Sequence, residues 1–448
     1  MLPQRFHKHS FSHGIHPPQR KDRTAGCAIR RLPFAPRMII PLSQHTGAPA
    51  TPTVREGQEV VRGEPIAQPD GFVSVPMHSP ATGMVERIAP VPTPKGGVTL
   101  GIYIKLYPGA AQEILYGAPQ DLESMSPEEL TLRVQATGVV GLGGAAFPTH
   151  VKLAVPEGKT VDTIIVNGCE CEPYLTTDHR VMLEQINEIV IGAMIVCKAM
   201  KAERIMIGVE DNKPDAVAAF ESALQGRSNN ISIHALPTKY PQGAEKMLAK
   251  ALLNREIPSG GLPADVGLGV FNVATLAQIG ELLPQRRGLI ERVVTVTGAG
   301  VTRPGNYLTA LGTPLRFLLE QAGFEGDARQ VILGGPMMGP AVACLDLPVT
   351  KGITGVLVLT DAEAATRGRK TFPCIKCGEC VDACPMHLNP SRLGILARAG
   401  AYEVMDQKFH LKDCFECGCC SFVCPSDIPL VQQFRMAKAR NRERMAAS

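Results

Sequence analysis

Eight cysteines in the C-terminal part of this 448-residue chain repeat one pattern. Each run reads C-x2-C-x2-C-x3-C-P, and the second run follows the first by 40 residues. Three thiolates at this spacing lie on one tight loop and can hold three corners of an iron–sulfur cubane, while the fourth ligand comes from elsewhere. The spacing therefore predicts two 4Fe-4S clusters and electrons that move one at a time.

The fourth cysteine of each run is expected to ligate the cluster of the other run, as in two-cluster ferredoxins. Zinc and disulfides are the alternatives, but zinc sites usually use two separated C-x2-C knuckles. Cys419, a ninth thiol beside a ligand, is expected to be a bystander. The predicted ligands of cluster 1 are Cys374, Cys377, Cys380 and Cys424, and those of cluster 2 are Cys414, Cys417, Cys420 and Cys384.

Charge is unevenly distributed along the chain. Residues 1–40 hold eight Lys/Arg and one acid, residues 431–448 hold five and one, and the part between them has a net charge of −7. Two basic ends on an acidic body are typical either of docking to an anionic membrane or acidic partner, or of solvated tails. Nucleic acid is not expected as a ligand, because aromatic residues are not interleaved with the basic ones.

Two further expectations concern location and the N-terminal arm. The longest apolar run, Ile189–Cys197, is far too short to span a bilayer, and the basic N-terminus lacks the apolar stretch of a signal peptide. The arm holds His7, His9, His13 and His16 at spacings that match no compact metal site, which favours a structural or partner-binding role.

The pattern of strands and helices changes along the chain. Val54–Ile66 and Ser79–Val85 are similar to the two halves of a lipoyl or biotinyl barrel-sandwich domain, without the modified lysine. From Ser126, which begins a capping box with Glu129, predicted helices and strands alternate. Alternation implies a mostly parallel sheet covered on both faces, which binds ligands beyond the carboxyl ends of its strands.

A second candidate site combines two loops. The glycine-rich stretch Gly141–Lys152 lets backbone N–H groups approach an anion or a flat ring, and Lys152 adds a positive charge; a simple tight turn is the alternative. Asn167–Pro173 follows the predicted strand Thr163–Val166 and brings an amide and acids to its carboxyl end. Its lone C-x-C pair, Cys169 and Cys171, is a poor metal site.

These loops resemble the flavin site of the NADH-oxidising subunit of respiratory complex I. Tyr240–Lys246 resembles that subunit's Gly-Glu loop, Phe271–Leu276 its Asn-Val-Glu-Thr-Leu segment, and Arg292–Phe324 the β-grasp-like module that follows. There are departures from the complex I pattern. Leu142 replaces an arginine, Ala146 a glycine, Cys169 an aspartate and Ala274 a glutamate.

The whole chain is more similar to the C subunit of the Rnf/Rsx ion-translocating electron transport complex. Gly14–Pro18 and Gly334–Gly339 match that family's N-terminal signature and late glycine loop, with His13 in place of a glycine. The resemblance implies an α/β multidomain fold with a Rossmann-like core. The implied segments are a basic irregular arm (1–37), a barrel-sandwich module (38–115), an α/β FMN/NADH domain (126–285), an SLBB-like β-grasp module (290–362), an α-helical two-cluster ferredoxin domain (366–430) and a basic tail (431–448).

The resemblance also implies FMN held without a covalent bond, with NADH as substrate. Lys152 would stabilise negative charge on the reduced ring and, with Glu172, counts as catalytic. Gly141, Gly143 and Gly144 would cradle the flavin. Asn167, Glu170 and Asn272 would bind its ring, ribityl chain or phosphate. Phe147, Glu172 and Glu245 would line the nicotinamide pocket. The expected contacts are Gly141, Gly143, Gly144, Phe147, Lys152, Asn167, Glu170, Glu172, Gly243, Glu245 and Asn272.

The expected function is that of an electron-input oxidoreductase subunit, which passes electrons from NADH through FMN to two clusters, or in reverse, in an ion-translocating complex. Its implied partners are subunits A, B, D, E and G, most directly the iron–sulfur B subunit, with ferredoxin or flavodoxin acting indirectly. The implied location is peripheral, on the cytoplasmic face of the bacterial inner membrane. The alternatives are an electron-relay subunit without flavin chemistry, and a diaphorase unit of another enzyme without membrane association.

Overall fold

A computed structural model describes residues 10–94, 96–226, 230–326, 328–363 and 370–447. His7 and His9 of the N-terminal arm lie outside the described residues, as do the predicted start of the ferredoxin domain at residue 366 and the terminal Ser448. Within these ranges, no helix combines the length and the apolar composition that a membrane span requires.

The barrel-sandwich module consists of two antiparallel sheets, with strand orders β2-β8-β7-β4 and β3-β5-β6. Alternate residues point inward, so that Met38 and Ile40 of β2 and Ile102 and Ile104 of β8 enter one core. The strands are β2 (Arg37–Pro41), β3 (Thr51–Pro52), β4 (Glu59–Val60), β5 (Pro65–Gln68), β6 (Met77–His78), β7 (Gly83–Pro92) and β8 (Val98–Leu106).

The α/β core contains a parallel sheet in the order β11-β10-β9-β12. Ser126 and Glu129 form the predicted capping box at the start of α1. The strands are β9 (Thr163–Gly168), β10 (Arg204–Glu210), β11 (Ile231–Leu236) and β12 (Leu268–Asn272). The helices are α1 (Pro127–Thr137), α2 (Thr149–Leu153), α3 (Thr177–Glu184), α4 (Ile186–Ala199), α5 (Pro214–Leu224), α6 (Glu245–Leu253) and α7 (Val273–Leu282), with 3-10 turns at Pro263–Val266 and Leu283–Gln285.

The chain from Thr177 to Ala199 forms two helices, α3 and α4, which meet at Gln185. The second of them packs against α7 with little space between the two backbones. A Cβ on Gly192 would lie 2.0 Å from the carbonyl oxygen of Leu276, and one on Gly280 would lie 2.0 Å from that of Glu188. These two glycines therefore fix α7, and with it Asn272 at the start of that helix.

The β-grasp module holds a mixed sheet in the order β1-β14-β13-β17-β15-β16. Its edge strand comes from the N-terminal arm, since Ile29 lies opposite Asn306 in a parallel pair. Part of the arm predicted to be irregular is therefore a strand of a distant module. The elements are β1 (Ile29–Arg31), β13 (Glu291–Thr297), β14 (Gly305–Ala310), α8 (Leu315–Gln321), β15 (Gln330–Leu333), β16 (Ala341–Val342) and β17 (Gly355–Leu359).

The ferredoxin domain is helical and continues past its expected end at residue 430. The predicted basic tail is a helix that buries Val431, Phe434 and Ala437 in the domain core. Several of its cations pair within the domain, for example Arg435 with Glu416 at 3.0 Å. The elements are α9 (Glu379–Asp382), α10 (Pro390–Arg398), α11 (Tyr402–Gln407), a 3-10 turn (Leu411–Asp413), α12 (Cys419–Phe422) and α13 (Leu430–Ala447).

The buried Lys351 joins the barrel-sandwich module, the α/β core and the β-grasp module. Lys351 is 1% exposed, and its Nζ donates to the carbonyl oxygens of Pro76 at 3.0 Å and Gly138 at 2.7 Å. Burial lowers the pKa of Lys351 to about 7. The His78 ring packs against the backbone of Gly288. Burial, and to a smaller extent the charge of Lys351, lowers the pKa of His78 to about 3.

This burial predicts a loss of stability in acid. Between pH 6.5 and pH 3 the unfolded chain binds a proton at His78 and the folded chain does not, so the free energy of unfolding falls as the pH falls. From pH 7.5 to 5.5, wild type should lose about 1.4 kcal/mol relative to His78→Leu. Urea unfolding followed by circular dichroism at both values measures this. The exposed His16→Leu serves as control, and a pH-independent difference between wild type and His78→Leu would contradict the prediction.

Candidate functional site

The glycine-rich loop is closed at its base and open at its tip. The N–H of Gly141 donates to the carbonyl of Phe147 at 2.8 Å, and the N–H of Ala146 returns to Gly141 O at 3.0 Å. Between these bonds Gly143 and Gly144 are exposed. Gly144 has φ +105°, which favours glycine, and a Cβ there would meet nothing within 4 Å. The loop therefore presents bare backbone to open space.

A cation and an acid lie beside this loop. The Lys152 ammonium pairs with the Glu245 carboxylate and donates to the carbonyl of Val270 at 3.3 Å. Lys152 lies on α2, directly after the glycine loop, and Glu245 begins α6. Their side chains remain 31% and 40% exposed, so a ligand can reach both.

Two asparagines occupy the carboxyl ends of adjacent strands, where parallel sheets bind ligands. Asn167 of β9 lies opposite Asn272 of β12 in the sheet register. The Asn167 amide donates to the carbonyl of Gly243 at 2.8 Å, which connects the Gly-Glu loop to the sheet. The Asn272 side chain caps α7, and a Cβ on Gly143 would lie 3.2 Å from it. The predicted loops therefore meet at one edge of the sheet.

The Glu170 carboxylate is bound by groups of the protein itself. Its carboxylate accepts from the N–H groups of Asp178 at 2.9 Å and His179 at 3.4 Å, at the start of α3, and lies 3.7 Å from the Lys21 ammonium. This arrangement supports the loop, and direct contact of Glu170 with a flavin stays a prediction.

Glu172 points toward the late glycine loop. Its carboxylate accepts from the N–H groups of Met337 at 3.1 Å and Met338 at 2.9 Å, and burial raises its pKa to about 7. Its predicted role in catalysis therefore requires the carboxylate to act from a position that the protein backbone already binds. That role stays a prediction.

Two buried residues complete the site and were not among the residues predicted from the sequence. Asp178 accepts from the Asn272 amide at 2.7 Å, while its Oδ1 has no partner among the described residues. Burial, and then the charge of Glu170, raises the pKa of Asp178 to about 7. Arg292 of β13 donates to the carbonyl of Leu142 at 3.1 Å. Leu142 is the residue that replaces the arginine of the complex I pattern. The sequence signal that could have identified Arg292 is an arginine at the start of an otherwise apolar strand.

The residues present fit a bound FMN. The glycine tip offers free backbone, Lys152 offers a reachable positive charge, and Asp178 Oδ1 is a buried oxygen without a partner among the residues that the structure describes. Burial lowers the pKa of Arg292, which lies behind the loop, to about 10, so this guanidinium remains charged. A flavin bears both an anionic phosphate and a polar ring, and this set of groups suits both.

The cysteines form two groups. One cavity is lined by Cys374, Cys377, Cys380 and Cys424. The other is lined by Cys384, Cys414, Cys417, Cys420 and also Cys419. In the described parts of the chain, no three His, Cys, Asp or Glu side chains converge as a single metal ion requires. The four cysteines predicted for each cluster thus line one cavity, and their ligation of a cluster stays a prediction.

The second cysteine cavity lies against the α/β core. The hydroxyl of Tyr240 donates to the carbonyl of Cys417 at 2.6 Å. A Cβ on Gly418 would lie 2.8 Å from the carbonyl oxygen of Met337. Cys419, expected to be a bystander, is fully buried here with Tyr240 and Ile15. The residues that line the first cavity all belong to the ferredoxin domain.

The fold and these sites define a flavin- and iron–sulfur-binding electron-transfer protein. The family model "RnfC Barrel sandwich hybrid domain" matches residues 9–106, "Nuo51 FMN-binding domain" 134–281, "SLBB domain" 293–341 and "4Fe-4S dicluster domain" 373–428. The predictions of this domain architecture, of FMN and of two 4Fe-4S clusters are thereby confirmed.

Curated relatives specify the family. The C subunit of a proton-translocating ferredoxin:NAD(+) oxidoreductase complex from Clostridium ljungdahlii is 42% identical over 97% of this chain and 94% of that protein. The Na(+)-translocating counterpart from Acetobacterium woodii is 42% identical over 85% and 86%. The C subunit of an ion-translocating oxidoreductase complex from Pseudomonas aeruginosa is 40% identical over 97% of this chain and 56% of that protein. This chain belongs to the family of C subunits of Rnf-type ion-translocating oxidoreductase complexes.

A solved structure shares the fold at lower identity. The crystal structure of a NAD+-reducing [NiFe]-hydrogenase in the H2-reduced state superposes with a TM-score of 0.52 at 18% identity. The match covers 71% of this chain and 63% of that chain. It shows that the α/β arrangement occurs in another redox protein.

The cross-paired cysteines make a specific prediction. Cys384→Ser should abolish the cluster of the second run and leave that of the first, because Cys384 lines the second cavity. The iron content should fall from about eight to about four per chain. Electron paramagnetic resonance of the reduced protein and iron analysis measure this, with Cys419→Ser as the control that keeps both clusters. Loss of the first-run signal instead would refute the pairing.

Proposed function

We propose that this chain exchanges electrons between NADH and two iron–sulfur clusters through FMN, as the peripheral electron-input subunit of an Rnf-type complex. One observation carries the proposal: the stretch Tyr240–Gly243 contacts both sites. Its Gly243 carbonyl accepts from Asn167 beside the glycine loop, and its Tyr240 hydroxyl donates to Cys417 beside the second cavity. A flavin site and a cluster site are thus joined by four consecutive residues.

FMN, when bound, converts the two-electron hydride of NADH into single electrons. The chain's own residues prepare the site for this. Lys152 would bring a positive charge to the flavin, and Arg292, a buried cation, holds the glycine loop from behind. Asp178, whose pKa burial raises to about 7, holds the Asn272 amide in place.

We assign the cluster of the second run as the electron partner of the flavin. Cys417 and Gly418 of the second run lie against Tyr240 and Met337 outside the ferredoxin domain, whereas the first run includes the exposed Cys377. Cys384, Cys414, Cys417 and Cys420 would hold the cluster beside the Tyr240 loop, and Cys374, Cys377, Cys380 and Cys424 would hold the other. Each cluster would supply one-electron chemistry.

Family membership supports a proposal for the partners and the location. The named relatives are subunits of ion-translocating ferredoxin:NAD(+) oxidoreductase complexes. We propose that this chain likewise assembles with subunits A, B, D, E and G and passes electrons most directly to the iron–sulfur B subunit, with ferredoxin or flavodoxin acting indirectly. This assembly would hold the chain at the cytoplasmic face of the bacterial inner membrane.

The proposed function predicts a loss in Lys152→Ala. This change removes the ammonium beside the glycine loop, so FMN affinity and NADH oxidation with an artificial acceptor should each fall about tenfold or more. Fluorescence titration with FMN and steady-state kinetics measure the two effects. The control Lys159→Ala removes a cation that pairs with Asp265 at 2.6 Å and should leave both unchanged.

Unaltered FMN affinity in Lys152→Ala would remove this pocket as the flavin site. Wild-type protein that carries both clusters but binds no FMN would instead support the alternative of an electron-relay subunit without flavin chemistry.

A further inference from the structure

The N-terminal arm passes between the α/β core and the ferredoxin domain. On the core side, Ile15 pairs with Tyr240 through two backbone hydrogen bonds of 2.9 Å each. Phe11 is 4% exposed, and Lys239 donates to its carbonyl at 2.8 Å while its ammonium lies 4.5 Å from the Phe11 ring centroid. The arm is therefore anchored to the core next to the residue that contacts Cys417.

On the ferredoxin side, the arm holds the residues on either side of a cluster cysteine. His13 Nδ1 lies 2.5 Å from the carbonyl oxygen of Asp382, and the N–H of Gly14 donates to the carbonyl of Ala383 at 3.3 Å. Asp382 and Ala383 immediately precede Cys384.

The contact continues beyond that cysteine. Ser12 Oγ lies 2.9 Å from His387 Nε2, and the rings of His13 and His387 meet edge to face at 4.4 Å. Residues on both sides of Cys384, which lines the second cavity, are therefore bound to the arm.

The arm fits this boundary only because residue 14 is glycine. Gly14 has φ +81°, and a Cβ there would lie 2.6 Å from the carbonyl oxygen of Tyr240 and 2.9 Å from the Phe11 ring. A side chain at this position would push the arm away from the core, since the oxygen it meets belongs to the backbone.

We propose that residues 10–16, here called the N-terminal clamp, fix the second-run cluster against the α/β core and thereby set the rate of electron transfer between flavin and cluster. The clamp binds Tyr240 on one side and the residues around Cys384 on the other, so it connects both halves of the second-run site. This inference rests on the proposed function for its electron-transfer consequence. It gives the histidine-containing arm a positioning role inside the molecule.

The test compares Gly14→Ala with Gly71→Ala in the full-length protein loaded with FMN and clusters. Gly71 has φ +82°, nearly that of Gly14, but a Cβ there meets nothing within 4 Å, so the control adds the same backbone strain without the clash. Gly14→Ala should slow cluster reoxidation by NAD+ after chemical reduction by about tenfold or more, because electron donor and acceptor are displaced. Flavin reduction by NADH should not change, and Gly71→Ala should behave as wild type.

Hydrogen–deuterium exchange supplies a readout that does not depend on activity. Exchange of the amides at 382–387 should rise in Gly14→Ala and stay as in wild type in Gly71→Ala. If Gly14→Ala does not fold, the double variant Ser12→Ala/His13→Ala removes the side-chain contacts to the ferredoxin side, leaves the Gly14 backbone bond, and should change both readouts in the same direction.

Faster exchange at 382–387 with an unchanged rate of cluster reoxidation would overturn the proposal, since the clamp would then be only structural. Unchanged exchange would overturn it as well. Failure of the proposed function looks different, because wild-type flavin would not react with NADH at all. The exchange measurement would still test the clamp in that case.

Discussion

The flavin site and the second cluster site both depend on the tight packing of one loop, Tyr240–Gly243, between them. Gly243 has no room for a side chain, since a Cβ would lie 2.3 Å from the carbonyl oxygen of Cys169. That approach lets Asn167 reach the Gly243 carbonyl at the end of its strand. Three residues earlier, Tyr240 is buried and its hydroxyl bonds to Cys417. A displacement of this loop would alter both sites together.

Buried charge is the second constraint, and it explains how separate modules hold one site. Arg292 comes from the β-grasp sheet, yet its guanidinium binds the carbonyls of Leu142 and Lys351. Lys351 in turn binds carbonyls of the barrel-sandwich module and of the turn after α1. The modules therefore support the glycine loop as a unit.

The sequence predicted what depends on local spacing. The cysteine runs indicated both clusters, and the loops Gly141–Lys152 and Asn167–Pro173 indicated an edge of the sheet where their residues in fact lie close. Local pattern could not predict contacts between distant segments. Nothing in Ile29–Arg31 alone reveals that it is the edge strand of a sheet built almost 300 residues later.

The same limit applied to individual side chains. Glu170 and Glu172 read as ligands because they follow a strand, but their oxygens are bound by the N–H groups of α3 and of the late glycine loop. Arg292 was read only as the beginning of a strand. Which partner an acid or a cation binds is decided by tertiary packing, and that information is spread over the whole chain.

Flavin and clusters are proposed to form one electron path within this chain. The most direct measurement is to reduce the purified protein chemically without air, remove excess reductant and titrate it with NAD+. Reduced FMN holds two electrons and each reduced cluster one, so the account predicts about two NADH formed per chain, with both clusters reoxidised. Formation of about one NADH or none, with the clusters left reduced, would contradict it.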